Sequence, residues 1–236
     1  MVVSQVDGDG FTHLVIQRSG FLPDSRLHVY IEGDGIPWSG RYPSADPTPR
    51  NALALRLANQ DSTDIAYVGR PCYFGLTNTV QCKPKYWTSH RYGEEVIRSM
   101  AAAIQRIRQP QHTEIVLIGH SGGGVVAALL ETRIDGVVGV ITVGANLDIG
   151  KWTQHHHYDP LTGSLNPAEQ ERNSNIPHLQ LVGGTDEIVP VFITDRFSQD
   201  QPNVERVIRD NFDHVCCWEE QWSDILSKFS ASLKRE

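Results

Sequence analysis

Val116–Leu130 reads VLIGHSGGGVVAALL: an apolar run of strand type gives way, across Gly119-His120-Ser121-Gly122-Gly123, to a small-residue stretch of helical type. A serine at such a junction is either a small residue in a tight turn or a nucleophile held up at the end of a strand. G-x-S-x-G alone is weak, because three fixed positions of common residues recur by chance in roughly one chain in ten of this length. Context gives it weight. A sharp strand-to-helix turn leaves no room for Cβ atoms two positions either side of the serine. Glycine stands at both, and Gly124 follows.

The same alternation of short apolar runs with helical patterns continues on both sides. THLVIQRS (12–19), RLHVYIEGDG (26–35), TDIAYVGRP (63–71), TEIVLIG (113–119), GVVGVITVGA (136–145), PHLQLVGG (177–184) and VERVIRD (204–210) read as strands. NALALRLANQ (51–60) has the apolar spacing of a helix. In GEEVIRSMAAAIQRIRQ (93–109), Val96, Ile97, Met100, Ile104 and Ile107 share one face and Pro110 stops the pattern. A helix is expected from Gly122 to about Thr132, another near VPVFITDRFS (189–198), and a closing one over EEQWSDILSKFSASLK (219–234). Several strands are almost unbroken Val, Ile and Leu, as strands covered on both faces are. Strand and helix in alternation then predict an α/β fold with a mostly parallel sheet between helices. One domain over residues 1–236 is expected, with a polar cap or loop insertion at about 147–176 that has no clear structure of its own.

In a sheet of this kind ligands bind beyond the carboxyl ends of the strands, where strand order reverses, so catalytic residues should stand just after strands. A serine hydroxyl needs a base within hydrogen-bond reach and a carboxylate to orient that base. Of ten histidines, His214 is the candidate base, on the loop between the last strand and the closing helix. His13 and His28 lie inside strand patterns. His120 adjoins the serine, but the turn is expected to aim it away from the base. Asp186 in LVGGTDEIVP (181–190) is the candidate acid, and Asp148 in VGANLDIG (143–150) is its rival.

These motifs together resemble the α/β-hydrolase superfamily: G-H-S-G-G, then Gly184-Thr185-Asp186-Glu187-Ile188-Val189-Pro190, then a late histidine, in a span from about residue 12 onward. The resemblance implies a three-layer fold with a central sheet of roughly eight strands, and hydrolysis of an ester, thioester or amide through an acyl-serine. It implies an oxyanion hole made by the Gly122 amide and a second amide after an early strand, here Asp34 with Gly35 as runner-up. Many relatives carry His-Gly in that loop, whereas this chain carries Glu32-Gly33. Two carboxylates beside a developing oxyanion would oppose catalysis unless their side chains turn away. The reading is a carboxylic-ester hydrolase for a small to medium substrate, needing no cofactor. An amidase or thioesterase on the same residues is the alternative, and from another class a catalytically silent binding protein with this fold.

Aromatic residues are expected to shape the pocket. Tyr73, Phe74, Tyr86, Trp87 and Tyr92 follow a strand and should gather near the mouth, with Trp38 after the oxyanion loop and Trp152 and Tyr158 in the long polar stretch. Of these, Trp38, Tyr73, Trp87 and Trp152 are the substrate-binding candidates, with loop packing as the alternative role for the aromatics. His155, His156 and His157 are adjacent and lack the i, i+4 spacing of helical zinc sites, so no metal is expected there.

Lys plus Arg number 21 against 28 Asp plus Glu, a net charge of -7. That disfavours nucleic acid and anionic membranes and favours a small or neutral substrate, which the resemblance makes a small-molecule ester. No apolar stretch reaches the roughly 20 residues of a transmembrane helix, and the N-terminus lacks the pattern of a signal peptide. Four cysteines allow three complete pairings, of which Cys72 with Cys82 closes a short loop rich in turn-formers. Adjacent Cys216 and Cys217 can form a strained vicinal disulfide, but separate roles, one facing the core, are expected of them. A Cys72–Cys82 bond implies an oxidising compartment, so a processed periplasmic or secreted chain is favoured over a cytoplasmic one. Oligomeric state is left open.

Overall fold

Eight strands form one sheet. The structure, a computed structural model, describes residues 1–18, 20, 26–199 and 201–233. Ser19 and Lys234, expected ends of an early strand and of the closing helix, lie outside the described residues. In chain order the elements are β1 (Val2–Asp7), β2 (Thr12–Arg18), β3 (Arg26–Ile31), β4 (Trp38–Ser39), β5 (Tyr42–Pro43), α1 (Leu53–Gln60), β6 (Asp64–Val68), α2 (Glu94–Ile107), β7 (Glu114–His120), α3 (Gly122–Leu130), β8 (Val137–Val143), α4 (Ile149–His155), β9 (His178–Gly183), α5 (Asp195–Ser198), β10 (Val204–Arg209) and α6 (Trp218–Ser232). The sheet order is β1-β2-β6-β3-β7-β8-β9-β10, and β4 pairs with β5 in a separate small hairpin. Only β2 runs against its neighbours in the large sheet; the ladders from β6 through β10 are parallel.

Period-two alternation sorts the strand side chains between two cores. Leu27, Val29 and Ile31 of β3 and Ile115 and Leu117 of β7 pack with α2 and α3. Tyr30, Val116 and Ile118 point the other way, against Leu53 and Leu57 of α1 and Trp218, Trp222 and Phe229 of α6. Both faces are therefore covered, which is why these strands carry so few polar residues. The five apolar positions foreseen on α2 are all buried, and Glu94 and Glu95 in its first turn complement the positive end of the helix.

Strand order reverses at β3. The chain goes from β3 to β6 on one side and then returns to β7 on the other, so the carboxyl ends of β3 and β7 flank the crevice where such sheets bind ligands.

The β4–β5 hairpin is absent from the sequence reading, and two further elements differ from it. β1 was not foreseen: it is a sheet-edge strand whose VVSQVD alternates between exposed and half-buried, without the apolar run that marks the central strands. The stretch from 147 to 176 is not structureless, since it carries α4 and a 3-10 turn at Pro167–Glu169. Asp148 caps α4, its carboxylate accepting from the Lys151 amide at 3.2 Å. A seven-residue helix ending in histidines offers too short an apolar face to stand out in sequence.

Candidate active site

β7 delivers Ser121 to the crevice on a turn with φ 52° and ψ -125°, a conformation L-residues rarely adopt. The Ser121 amide donates to the Val143 carbonyl at 2.8 Å, and its own carbonyl accepts from the Gly124 amide at 2.9 Å. The glycines leave no space unfilled: a Cβ on Gly119 would strike the Gly123 carbonyl, and one on Gly122 would strike the Asp34 carboxylate and come within 2.6 Å of the Tyr92 hydroxyl. Gly122 is the first residue of α3, where an amide has no intrahelical acceptor.

Asp186, just beyond β9, is buried to 4 % exposure. Its Oδ1 accepts from the amides of Ile188 and Val189 at 2.9 and 2.8 Å. Its Oδ2 lies 2.8 Å from Nδ1 of His214; a carboxylate oxygen there makes Nδ1 the donor and leaves Nε2 as the free basic nitrogen. Ser121 and His214 line one cavity. Among the described residues no hydrogen bond joins the two, and contacts between a nucleophile and its base commonly tighten only with substrate bound. The rival acid, Asp148, is engaged elsewhere: besides capping α4 it accepts from Asn166 at 3.1 Å and faces Arg196 at 3.5 Å.

Contrary to expectation, the turn does not aim His120 away from His214: the two ring centroids are 4.8 Å apart, and His120 Nε2 lies 2.9 Å from the His214 carbonyl oxygen. Reversal of the chain at Ser121 sends the preceding side chain under the loop that carries the second imidazole.

The loop after β3, which holds Glu32, Gly33, Asp34 and Gly35, forms another wall of the cavity. Asp34 is pinned by Arg70, by Arg91 at 2.9 Å and by the Tyr92 hydroxyl at 2.5 Å. Burial alone would raise its carboxyl, but the Arg91 and Arg70 guanidiniums and the Tyr92 hydrogen bond outweigh burial and hold it at about 2. The Tyr73 hydroxyl donates to the Asp34 carbonyl at 3.0 Å. Glu32, 2 % exposed, accepts from the amides of Gly33 at 3.2 Å and Ala54 at 3.4 Å. The two acidic side chains that threatened an oxyanion site thus have partners of their own, and they brace the loop. Arg70 and Arg91 were missed in sequence, since their partner lies 36 and 57 residues away.

No protein-family model matches the chain, and no curated protein matches it in sequence. Solved structures do match in shape. Alpha/beta hydrolase domain-containing protein 10 from mouse aligns over 97% of this chain and 100% of its own at 13% identity with a TM-score of 0.67. The esterase domain of a Rhodothermus marinus protein aligns over 99% and 98% at 16% identity and a TM-score of 0.66. An acylaminoacyl peptidase of Pyrococcus horikoshii covers 100% of this chain with 42% of its own length, at 15% identity and a TM-score of 0.67. The chain has the α/β-hydrolase fold.

The crevice of this α/β-hydrolase fold is a cavity of about 850 Å³, within the size range of small-molecule sites. Trp38 and Trp152 line it, together with Ile36, Tyr158, Leu161 and Ile188. His157 lines it too, while His156 Nε2 lies 2.8 Å from the Ile188 carbonyl oxygen. Tyr73 and Trp87 do not line it. They are buried at 1 % and 4 % in the core under α2, as are Tyr86 and Tyr92. For Tyr73 and Tyr92 the reason is the buried Arg70, whose guanidinium sits 5.1 Å from the Tyr73 ring and 5.2 Å from the Tyr92 ring; aromatic faces shield a cation that has little access to water.

Cys72 is bonded to Cys82, with the Cα atoms 5.5 Å apart. Cys216 and Cys217 do not go separate ways: they are bonded to each other, in the turn between His214 and α6. Among the described residues no helix is long and apolar enough to cross a membrane.

Proposed function

We propose that the protein is a serine hydrolase cleaving carboxylic esters of small to medium size. The observation that carries the reading is the 2.8 Å contact between buried Asp186 and His214 in the cavity that also holds Ser121 at its constrained turn. Asp186 fixes the imidazole so that Nε2 accepts the Ser121 proton as the oxygen attacks the ester carbonyl. The tetrahedral oxyanion takes hydrogen bonds from the amides of Gly122 and of Asp34 or Gly35. The imidazolium then passes its proton to the departing alcohol, leaving an acyl-serine. Water, deprotonated by the same nitrogen, attacks that ester and releases the acid. Each half reaction returns the proton it borrowed, so no cofactor is required.

An esterase domain and a peptidase among the proteins of similar shape support acyl transfer. Trp38, Trp152, Tyr158 and Ile188 would bind the apolar part of the substrate. A panel of chromogenic esters, thioesters and amides, run on the wild type and on Ser121→Ala, tests the reading. Ester turnover abolished by the substitution is expected; turnover that survives it removes the serine mechanism. Faster turnover of matched amides would instead make the protein an amidase.

A further inference from the structure

His120 and Glu32 have no part in the mechanism above, yet both are buried and both line the catalytic cavity. A carbonyl oxygen only accepts, so the 2.9 Å contact makes His120 Nε2 a donor to the backbone of His214. On the other side of the ring, Nδ1 lies 3.4 Å from Glu32 Oε1. Neither His120 Nδ1 nor Glu32 Oε2 has a hydrogen-bond partner among the described residues. The Glu32 carboxylate also accepts from the Gly33 amide, and a Cβ at Gly33 would come within 3.2 Å of Ser121 Cβ and 3.6 Å of His120 Nδ1. The buried Tyr67 phenol is pushed well above its ordinary value, by burial first and then by the Glu32 charge.

One imidazole therefore touches all three walls of the site: the loop after β3, the serine turn and the His214 loop. We propose that His120, backed by Glu32, is a positioning residue for the catalytic imidazole, a second histidine–carboxylate pair that grips the backbone of His214 while Asp186 grips its ring. With only the Asp186 contact, His214 could pivot about Nδ1. The bond to its carbonyl holds the backbone from which the ring projects, so that the Asp186 contact acts on an anchored imidazole and sets the direction in which Nε2 points. Glu32 stands 3.4 Å behind Nδ1 of the His120 ring and, through the Gly33 amide, ties the same device to the loop proposed to supply the oxyanion donor. This inference rests on the reading of His214 as the general base.

The test compares His120→Phe, which keeps a ring against His214 without a donor, with His120→Gln, whose amide restores one. Sites are counted by fluorophosphonate titration, and kcat is expressed per titrated site. His120→Phe is expected to lose about 10- to 100-fold in kcat, the scale on which a small misplacement of a catalytic group slows a reaction, with KM changed less than about twofold. His120→Gln is expected to recover most of that loss. Wild-type kcat per site in His120→Phe, or equal losses in the two variants, would overturn the proposal. Should the Phe variant fail to fold, Glu32→Gln, which keeps an acceptor for both amides, is read in the same way: a several-fold fall in kcat per site supports the proposal and an unchanged value overturns it. His214→Ala is run alongside. If it retains ester turnover, the function reading fails; if it is inactive while His120→Phe is not, only the positioning role fails.

Discussion

Asp186 Oδ2 lies 2.8 Å from His214 Nδ1, while Asp186 Oδ1 is held by two backbone amides of its own loop. The carboxylate is thus fixed before it fixes anything else. Asp186→Asn presents the amide in place of one acceptor and favours the wrong imidazole tautomer, so kcat is expected to fall by about 10⁴-fold, the size known for another triad. Asp148→Ala serves as the contrast. It removes a helix cap and is expected to lower stability by about 1 kcal/mol with kcat little changed. Steady-state kinetics and urea melts on both variants check the assignment, and a larger kinetic loss at Asp148 would reverse it.

Asp34 anchors the loop after β3 through charge. Asp34→Ala leaves the Arg70 and Arg91 guanidiniums buried at 1 % and 6 % side-chain exposure without their carboxylate, a change of the kind that costs about 3 to 5 kcal/mol. A correspondingly lower urea midpoint is expected, with little change in slope. The carboxyl is held at about 2 in the folded protein, below its ordinary value of about 3.9. Its stabilisation is therefore complete above pH ~4 and is lost as pH falls toward ~2.

His13 sets a second acid dependence, at milder pH. Its ring is fully buried, with Nδ1 at 2.9 Å from the Gly69 carbonyl and Nε2 at 2.8 Å from the Ser99 hydroxyl. Burial, against weaker opposition from the Gly69 hydrogen bond and from Asp7, lowers it to about 4. The unfolded chain, titrating near 6.5, binds the proton first. His13 is thus expected to contribute a fall in stability of about 3 kcal/mol as pH drops from ~6.5 to ~4. Urea midpoints across that range check it: His13→Gln should flatten the slope, and a slope unchanged by the substitution would place the effect elsewhere.

Both disulfides have an observable consequence. Intact-mass analysis after alkylation without reductant should find all four cysteines blocked. On adding a dithiol, the exposed Cys216 with its neighbour should react before Cys72, which is 0 % exposed. Free thiols in the unreduced protein would contradict the pairing.

What could be read in sequence follows from the range of the forces involved. β3, β7 and β8 are legible because burial on two faces leaves an apolar run, and the Ser121 turn because crowding demands glycine at 119 and 123. β1 is hidden by its half-solvated edge position, and α4 by its shortness. Tyr73 and Trp87 follow a strand as pocket residues do, yet the cation of Arg70 draws the Tyr73 face into the core and Trp87 packs in the apolar cluster under α2. Arg91 and Asp34, or His120 and the His214 carbonyl, meet only through the tertiary fold, so no local pattern announces them.

The most direct test of the central claim is peptide mapping after fluorophosphonate treatment of the wild type and of His214→Ala. The account predicts one adduct, on Ser121, formed rapidly in the wild type and far more slowly once the imidazole is gone. An adduct on a different residue, no adduct, or equal labelling rates in the two proteins would contradict it.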